Sequence, residues 1–236
     1  VSVQINSPKK LFKIDRRAFT LIELLIVLVV LGILAAIVFP AVGSTQMSAK
    51  KAQCASNMRQ IGIGLQLYAN LNAGEYPQTT HSLSFFRRNQ SWIFALSPFL
   101  DDVNEVRVCP ADAEERQRFI LRNKFTSYVL NDLVFDNHNF NGPAKLSNPS
   151  KTPILFILSE TRTPSVTQDH IHGAEWSSWN AALNDIEPDR HRVGNRSNNR
   201  LQGSANYLFA DGSVQNIDAK SFKRLFERGI NPADPN

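Results

Sequence analysis

The chain has 236 residues, a formal net charge of +5, 42% hydrophobic residues and two cysteines, which leaves room for one modest domain with an appendage and excludes a disulfide-built scaffold or a large multidomain enzyme. The first eighteen residues hold Lys9, Lys10, Lys13, Arg16 and Arg17 against Asp15, so the remainder is left at +1. No nucleic-acid partner is therefore expected, because counterion release needs basic residues clustered on the part that binds.

Residues 24–42 run nineteen positions without a charge. As a helix they span about 28 Å, close to the thickness of a bilayer's hydrocarbon core. The basic flank predicts that residues 1–18 stay cytoplasmic and that the chain after the span lies across the membrane. Two export readings compete. Ala41-Val42-Gly43 resembles a small-residue cleavage site, although the apolar run exceeds a signal-peptide core, and Arg16-Arg17 with Phe19 suggests a twin-arginine signal. Glu23 argues against a plain anchor, since an unpaired carboxylate at the edge of such a segment costs about 2–3 kcal/mol. Gly32 and Pro40 interrupt the run, and the proline's missing N–H predicts a kink or local melting over 36–40.

From 41 to 72 there is no proline, and Met58, Ile61, Leu65, Tyr68 and Leu71 recur at steps of three or four, so the helix is expected over 19–72. Its first half belongs in lipid or against other copies of itself, and its second half packs an apolar stripe on a soluble domain. Ala73-Gly74-Glu75-Tyr76-Pro77 supplies the stop. Beyond it, 91–100 reads as a short helix with Trp92, Leu96 and Phe99 on one face. Strands are expected over 127–135, 154–159, 206–210 and 213–217. Asp211-Gly212 between the last two signals a hairpin whose two central residues both need positive φ. An amphipathic helix over 219–228 closes the pattern with Phe222, Leu225 and Phe226 inward. Long loops are expected at 136–152 and 161–204. The fold class is α+β: a long N-terminal transmembrane helix packed on a small antiparallel β-sheet.

Asp169-His170-Ile171-His172, Glu175 and His191 make up the cluster of candidate metal ligands, and a His-x-His pair on a strand places both imidazoles on one face. The spacing is weak evidence, because most such pairs are solvated loop residues. The chain has no Gly-x-Ser-x-Gly elbow, no cysteine with local histidine support and no glycine-rich phosphate loop, so no enzyme is expected. Cys54 and Cys109 can form a disulfide in an oxidising compartment, with buried free thiols as the alternative. Trp176, Trp179, Phe85 and Phe86 offer a binding surface or, more commonly for aromatics, core packing.

The segment Arg16-Arg17-Ala18-Phe19-Thr20-Leu21-Ile22-Glu23 with its apolar run resembles the type IV pilin and type II secretion pseudopilin superfamily. The signature of that superfamily is a small residue, a cleavage point, Phe-Thr-Leu-Ile-Glu and a hydrophobic helix. The resemblance implies that Ala18, standing where the family usually has Gly, precedes the scissile bond. Phe19 would become the N-methylated first residue, and Glu23 would neutralise the new amine of a neighbouring subunit. Charge pairing at low dielectric is consistent with that role. Residues 54–77, Cys109-Pro110-Ala111-Asp112 and Ser127-Tyr128-Val129-Leu130-Asn131 resemble a large bacterial group of pseudopilin-like proteins. Many members of this group carry a histidine, nine residues, then Asp-Gly. Here Leu201 stands at that position before Asp211-Gly212, and His191 lies further back, so the motif is present only in stretched form.

The resemblance implies a leader peptide over 1–18, a transmembrane and assembly helix over 19–42, the soluble half of the helix over 43–73 and a periplasmic α+β domain over 74–236. It further implies a single-pass protein of the bacterial inner membrane, N-terminus cytoplasmic, processed by a prepilin peptidase. Its other partners would be further pseudopilins and an inner-membrane assembly platform, in a secretion pseudopilus or pilus-like filament. The alternatives are a minor pilin for adhesion or DNA uptake and a membrane-anchored periplasmic binding domain. No cofactor is expected. Calcium is the one candidate, because major pseudopilins hold it in a C-terminal loop and Asp185, Glu187 and Asp189 lie close in sequence, but the acidic density of a calcium loop is missing.

Overall fold

The computed structural model describes residues 19–83, 91–100 and 104–235, with side chains at all of these except 38–41, and the chain divides into two units between Val42 and Gly43. Helix α1 (Leu21–Leu71) contributes to both. In the first unit its residues from 21 to 37 are solvent-exposed apart from half-buried Ala35, though nearly all are apolar. An 18-residue window here reaches a mean hydropathy of 3.2, long and apolar enough to cross a membrane. The backbone stays helical through Pro40, against the expectation of local melting. Proline removes one hydrogen bond, and the turns on either side retain theirs.

In the second unit α1 buries Cys54, Met58, Ile61, Leu65 and Ala69 on one stripe, each at most 1% exposed. The steps of three and four match the helical period, so the sequence pattern located this face. Leu71, expected on the same face, is exposed because the helix ends there. The termination is the expected one: Gly74 has φ of +83° and its N–H reaches back to the Ala69 carbonyl at 2.8 Å.

The stripe belongs to the same core as a four-stranded antiparallel sheet of order β1 (Tyr128–Leu130), β2 (Pro153–Ile157), β3 (Ser204–Phe209) and β4 (Val214–Asp218). The α+β class is as expected, and three details differ. The expected strand over 127–135 ends at Leu130. Asn131 then accepts a bond from the Leu133 N–H and caps the next element in the chain, a four-residue helical turn at Asp132–Phe135. At the β3–β4 hairpin only Gly212 has positive φ, at +84°. Its N–H meets the Phe209 carbonyl at 2.9 Å and Phe209 N–H meets Ser213 at 2.8 Å, so the turn is a three-residue loop with glycine in the left-handed position. The expected helix over 91–100 is a short turn at Trp92–Ala95 followed by a 3-10 turn at Ser97–Phe99, because Pro98 cannot continue the helical bonding.

Two further helices were not expected. Glu114–Asn123 buries only Ile120 among its fully buried positions, and Trp179–Asp185 starts at Ser178, whose hydroxyl accepts from the Ala181 N–H. The C-terminal helix Ala219–Glu227 is as expected: Phe222 stacks on Tyr207 with ring centroids 4.6 Å apart, and Leu225 and Phe226 pack on the core. Of the two outer strands, β1 is covered, because Leu130 bridges His170 and exchanges backbone bonds with Asp169 and Ile171. On β4, Gln215, Asn216 and Asp218 are exposed.

Helix and sheet approach closely at Gly62, where an added Cβ would sit 3.0 Å from Leu208 Cδ1 on β3. Gly62→Val should therefore destabilise the domain by about 1–3 kcal/mol through overpacking, despite valine's better helix propensity. Urea unfolding of the detergent-solubilised protein measures this, and an unchanged midpoint would mean that the helix moves away at no cost.

Candidate functional site

The N-terminal motif begins at the first turn of α1. Thr20 N–H donates to Glu23 Oε2 at 2.9 Å, the Thr20 hydroxyl donates to the same oxygen at 2.7 Å, and Glu23 N–H approaches Thr20 Oγ1 at 3.3 Å. This is a reciprocal capping box, and Thr-x-x-Glu is its sequence signature. Glu23 therefore has a role within its own chain that the motif resemblance did not suggest. Phe19 is 75% exposed, and Ala18 lies outside the described residues.

Cys54 on α1, Cys109 and His191 meet inside the domain with their ligand atoms within 4.8 Å of one another, all three buried. The Cys109 sulfur is 3.9 Å from His191 Nε2, and the Tyr128 hydroxyl is 3.6 Å from the Cys54 sulfur. Both thiols are free. Burial pushes the Cys54 thiol up, but hydrogen bonds from Cys109, Tyr128 and Asn206 outweigh this and bring it below the ordinary thiol value. Cys109 is pushed well up by its own burial and by Cys54. Of the two, Cys54 is therefore the more acidic thiol. His191, the histidine of the stretched motif, belongs to this cluster, while Asp211 is exposed in its turn.

The other candidate ligands divide. His170 and His172 do share a face, with ring centroids 5.1 Å apart, while Ile171 between them is fully buried. Glu175 is exposed on a 3-10 turn, and His191 is in the cysteine cluster. Their place is taken by His81, whose ligand atom lies within 4.8 Å of those of His170 and His172. Periodicity gives no sign of this partner. Trp176 and Trp179 are buried in the core, and Phe85 and Phe86 fall outside the described residues.

A family model for the prokaryotic N-terminal methylation motif matches residues 14–39, and another, a protein of unknown function (DUF1559), matches residues 46–107. Type II secretion system core protein G of Pseudomonas aeruginosa is 42% identical over 69 residues, which are 29% of this chain and 48% of that protein. The chain thus spans about half the length of that relative. No solved structure matches it. These matches support the pilin and pseudopilin superfamily. The match to DUF1559 takes in the buried stripe of α1 and Cys54, and ends at Arg107, two residues before Cys109.

The three acids considered for calcium lie in arginine-rich surroundings. Asp185 pairs with Arg162 at 2.5 Å and accepts from Trp176 Nε1 at 2.9 Å. Glu187 pairs with Arg200 at 2.6 Å and Arg196 at 3.3 Å, and Asp189 has Arg192 at 3.7 Å. An oxygen cage needs six to eight ligands around one point, and guanidinium groups already engage Asp185 and Glu187, two of the three acids that would supply them.

Burial and then the neighbouring Glu187 carboxylate push Asp189 up to about 6 from an ordinary 3.8. The folded protein therefore binds more protons than the unfolded chain between those values, so this group's contribution falls as pH rises through the window. Asp189→Asn should remove a pH-dependent loss on the order of 2 kcal/mol between pH 4 and pH 7. Urea unfolding of both proteins across that range checks it, and parallel pH profiles would show that Asp189 ionises without penalty.

Proposed function

We propose that the chain is a pseudopilin subunit, cleaved between Ala18 and Phe19 and N-methylated on Phe19 by a prepilin peptidase. It then assembles with other pseudopilins on an inner-membrane platform into a secretion pseudopilus or pilus-like filament. Its role is structural rather than enzymatic, with residues 1–18 as a cytoplasmic leader, 19–42 in the membrane or the filament core, and 43–236 in the periplasm. The observation that carries this reading is the run Phe19-Thr20-Leu21-Ile22-Glu23 ahead of an apolar helix surface that has no partner in its own unit. Such a surface must be covered by lipid or by other copies of itself. Cleavage would create a cation at Phe19, and a carboxylate on an adjacent chain offsets the several kcal/mol of bringing that cation into an apolar bundle.

The capping box makes the test sharper. Glutamine can still complete the cap but carries no charge, whereas alanine removes both functions. Wild-type protein from its native membrane should begin at N-methyl-Phe19 by mass spectrometry. Glu23→Gln and Glu23→Ala should both insert in the membrane and both fail to form filaments. Normal filaments from Glu23→Gln would show that Glu23 serves as a cap alone, and a start at Val1 or after Gly43 would remove the processing step.

We also propose that Cys54 and Cys109 close to a disulfide in the oxidising periplasm, passing two electrons and two protons to an external disulfide such as oxidised glutathione. Their proximity inside the core supports this, with exchange taking place before the domain closes, since both sulfurs are fully buried once it has folded. Alkylation of the denatured native protein should find no free thiol before reduction and two afterwards. Two free thiols without reduction would leave the pair as core residues.

A further inference from the structure

We infer that His81, His170 and His172 bind one divalent transition-metal ion of the zinc class through imidazole nitrogens, independently of the filament reading. Each ring offers a ligand atom within 4.8 Å of the other two. A tetrahedral zinc site holds such nitrogens about 3.4 Å apart, given bond lengths near 2.0–2.1 Å. The remaining closure is within reach of His81, which is exposed and whose ring already lies edge-on to that of His170 with centroids 5.2 Å apart.

Two of the three rings are already oriented by carboxylates. His170 Nδ1 lies 2.8 Å from Asp169 Oδ1 and His172 Nδ1 lies 3.3 Å from Asp185 Oδ1, which leaves Nε2 of each for a ligand. Carboxylate–histidine–metal arrangements of this kind set the tautomer and raise ligand basicity. His170 Nε2 is the second, independent sign: it is buried without a hydrogen-bond partner, on a side chain only 6% exposed. A buried nitrogen left unpaired is costly, and a metal bond satisfies it.

The third ligand is held nearby by the same carboxylate. Thr80, next to His81, donates its hydroxyl to Asp169 at 2.7 Å and its N–H at 3.1 Å, so the strand-like segment at 169–172 and the segment carrying His81 are joined before any ion binds. His81 also borders an open depression of about 490 Å³ shared with Asp132 and Asp136, a route for a cation from solvent. Three neutral imidazoles favour zinc, copper, nickel or cobalt over calcium or magnesium, and three protein ligands leave a position for water.

The test uses the full chain in detergent, stripped by chelator and titrated with Co²⁺ and then Zn²⁺. One Co²⁺ per chain should bind with visible d–d bands and no thiolate charge-transfer band, and Zn²⁺ should displace it. His81→Ala, at an exposed position, should fold as wild type without metal and weaken binding by about 100-fold or more, beyond the loss typical of a supporting residue. Cys54→Ser should bind as wild type. Absence of saturable binding, binding that survives His81→Ala, or a thiolate band lost in Cys54→Ser would each overturn the site, the last by moving the metal to the cysteine cluster.

Discussion

The second unit depends on one buried cation. Arg190 is enclosed by the domain, with its guanidinium 2.9 Å from Asp112, 2.7 Å from Glu160 and 2.8 Å from the Leu158 carbonyl. Burial alone would lower its proton affinity, and the carboxylates more than reverse this, so the charge is permanent. A buried charge that loses its partners is strongly destabilising, so these groups are held in one arrangement. Asp112 follows Cys109 by three residues and accepts from Ser127 at 2.5 Å, and Ser127 in turn accepts from the Cys109 N–H at 2.9 Å. His191 is the next residue after Arg190. Cys109, His191 and the start of β1 are thus tied to one buried cation, while Cys54 is placed by the apolar stripe of α1.

That arrangement explains what the sequence revealed and what it hid. The stripe from Cys54 to Ala69, the hairpin and the closing helix are amphipathic, and hydrophobic period reports amphipathic elements. The 161–204 stretch reads as a loop because its buried apolar residues, such as Ile171, Trp176 and Ile186, are interspersed with Arg190, Glu187, Asp189 and Arg200, which are buried and polar. Polar residues count as exposed in any periodicity argument. The helix at Glu114–Asn123 escapes for a related reason, since it buries one apolar residue fully and carries Glu or Arg at half of its positions.

The candidate sites divide along the same line. Phe19 and Glu23 stand out because their motif is local, and so does the His170–His172 pair. His81 has no local signature, because its neighbours in space come from a distant segment and are joined to it through Asp169. The Thr20–Glu23 cap was legible as Thr-x-x-Glu, yet the stronger family signature drew the glutamate toward a role between chains. The proposed role between chains would use the carboxylate that the cap already engages, so hydrogen bonds within the first turn would compete with any neighbouring cation.

The sheet has a further consequence for a domain held at a surface. Tethering confines neighbouring copies to a thin layer, where their local concentration far exceeds that of the same molecules in solution. Under such crowding an open strand edge invites unwanted pairing. The 169–171 segment seals β1, and β4 presents Gln215, Asn216 and Asp218 before the chain turns into its last helix. Neighbours pressed together would then find one edge already sealed and the other lined with polar side chains that disfavour a continuous intermolecular sheet.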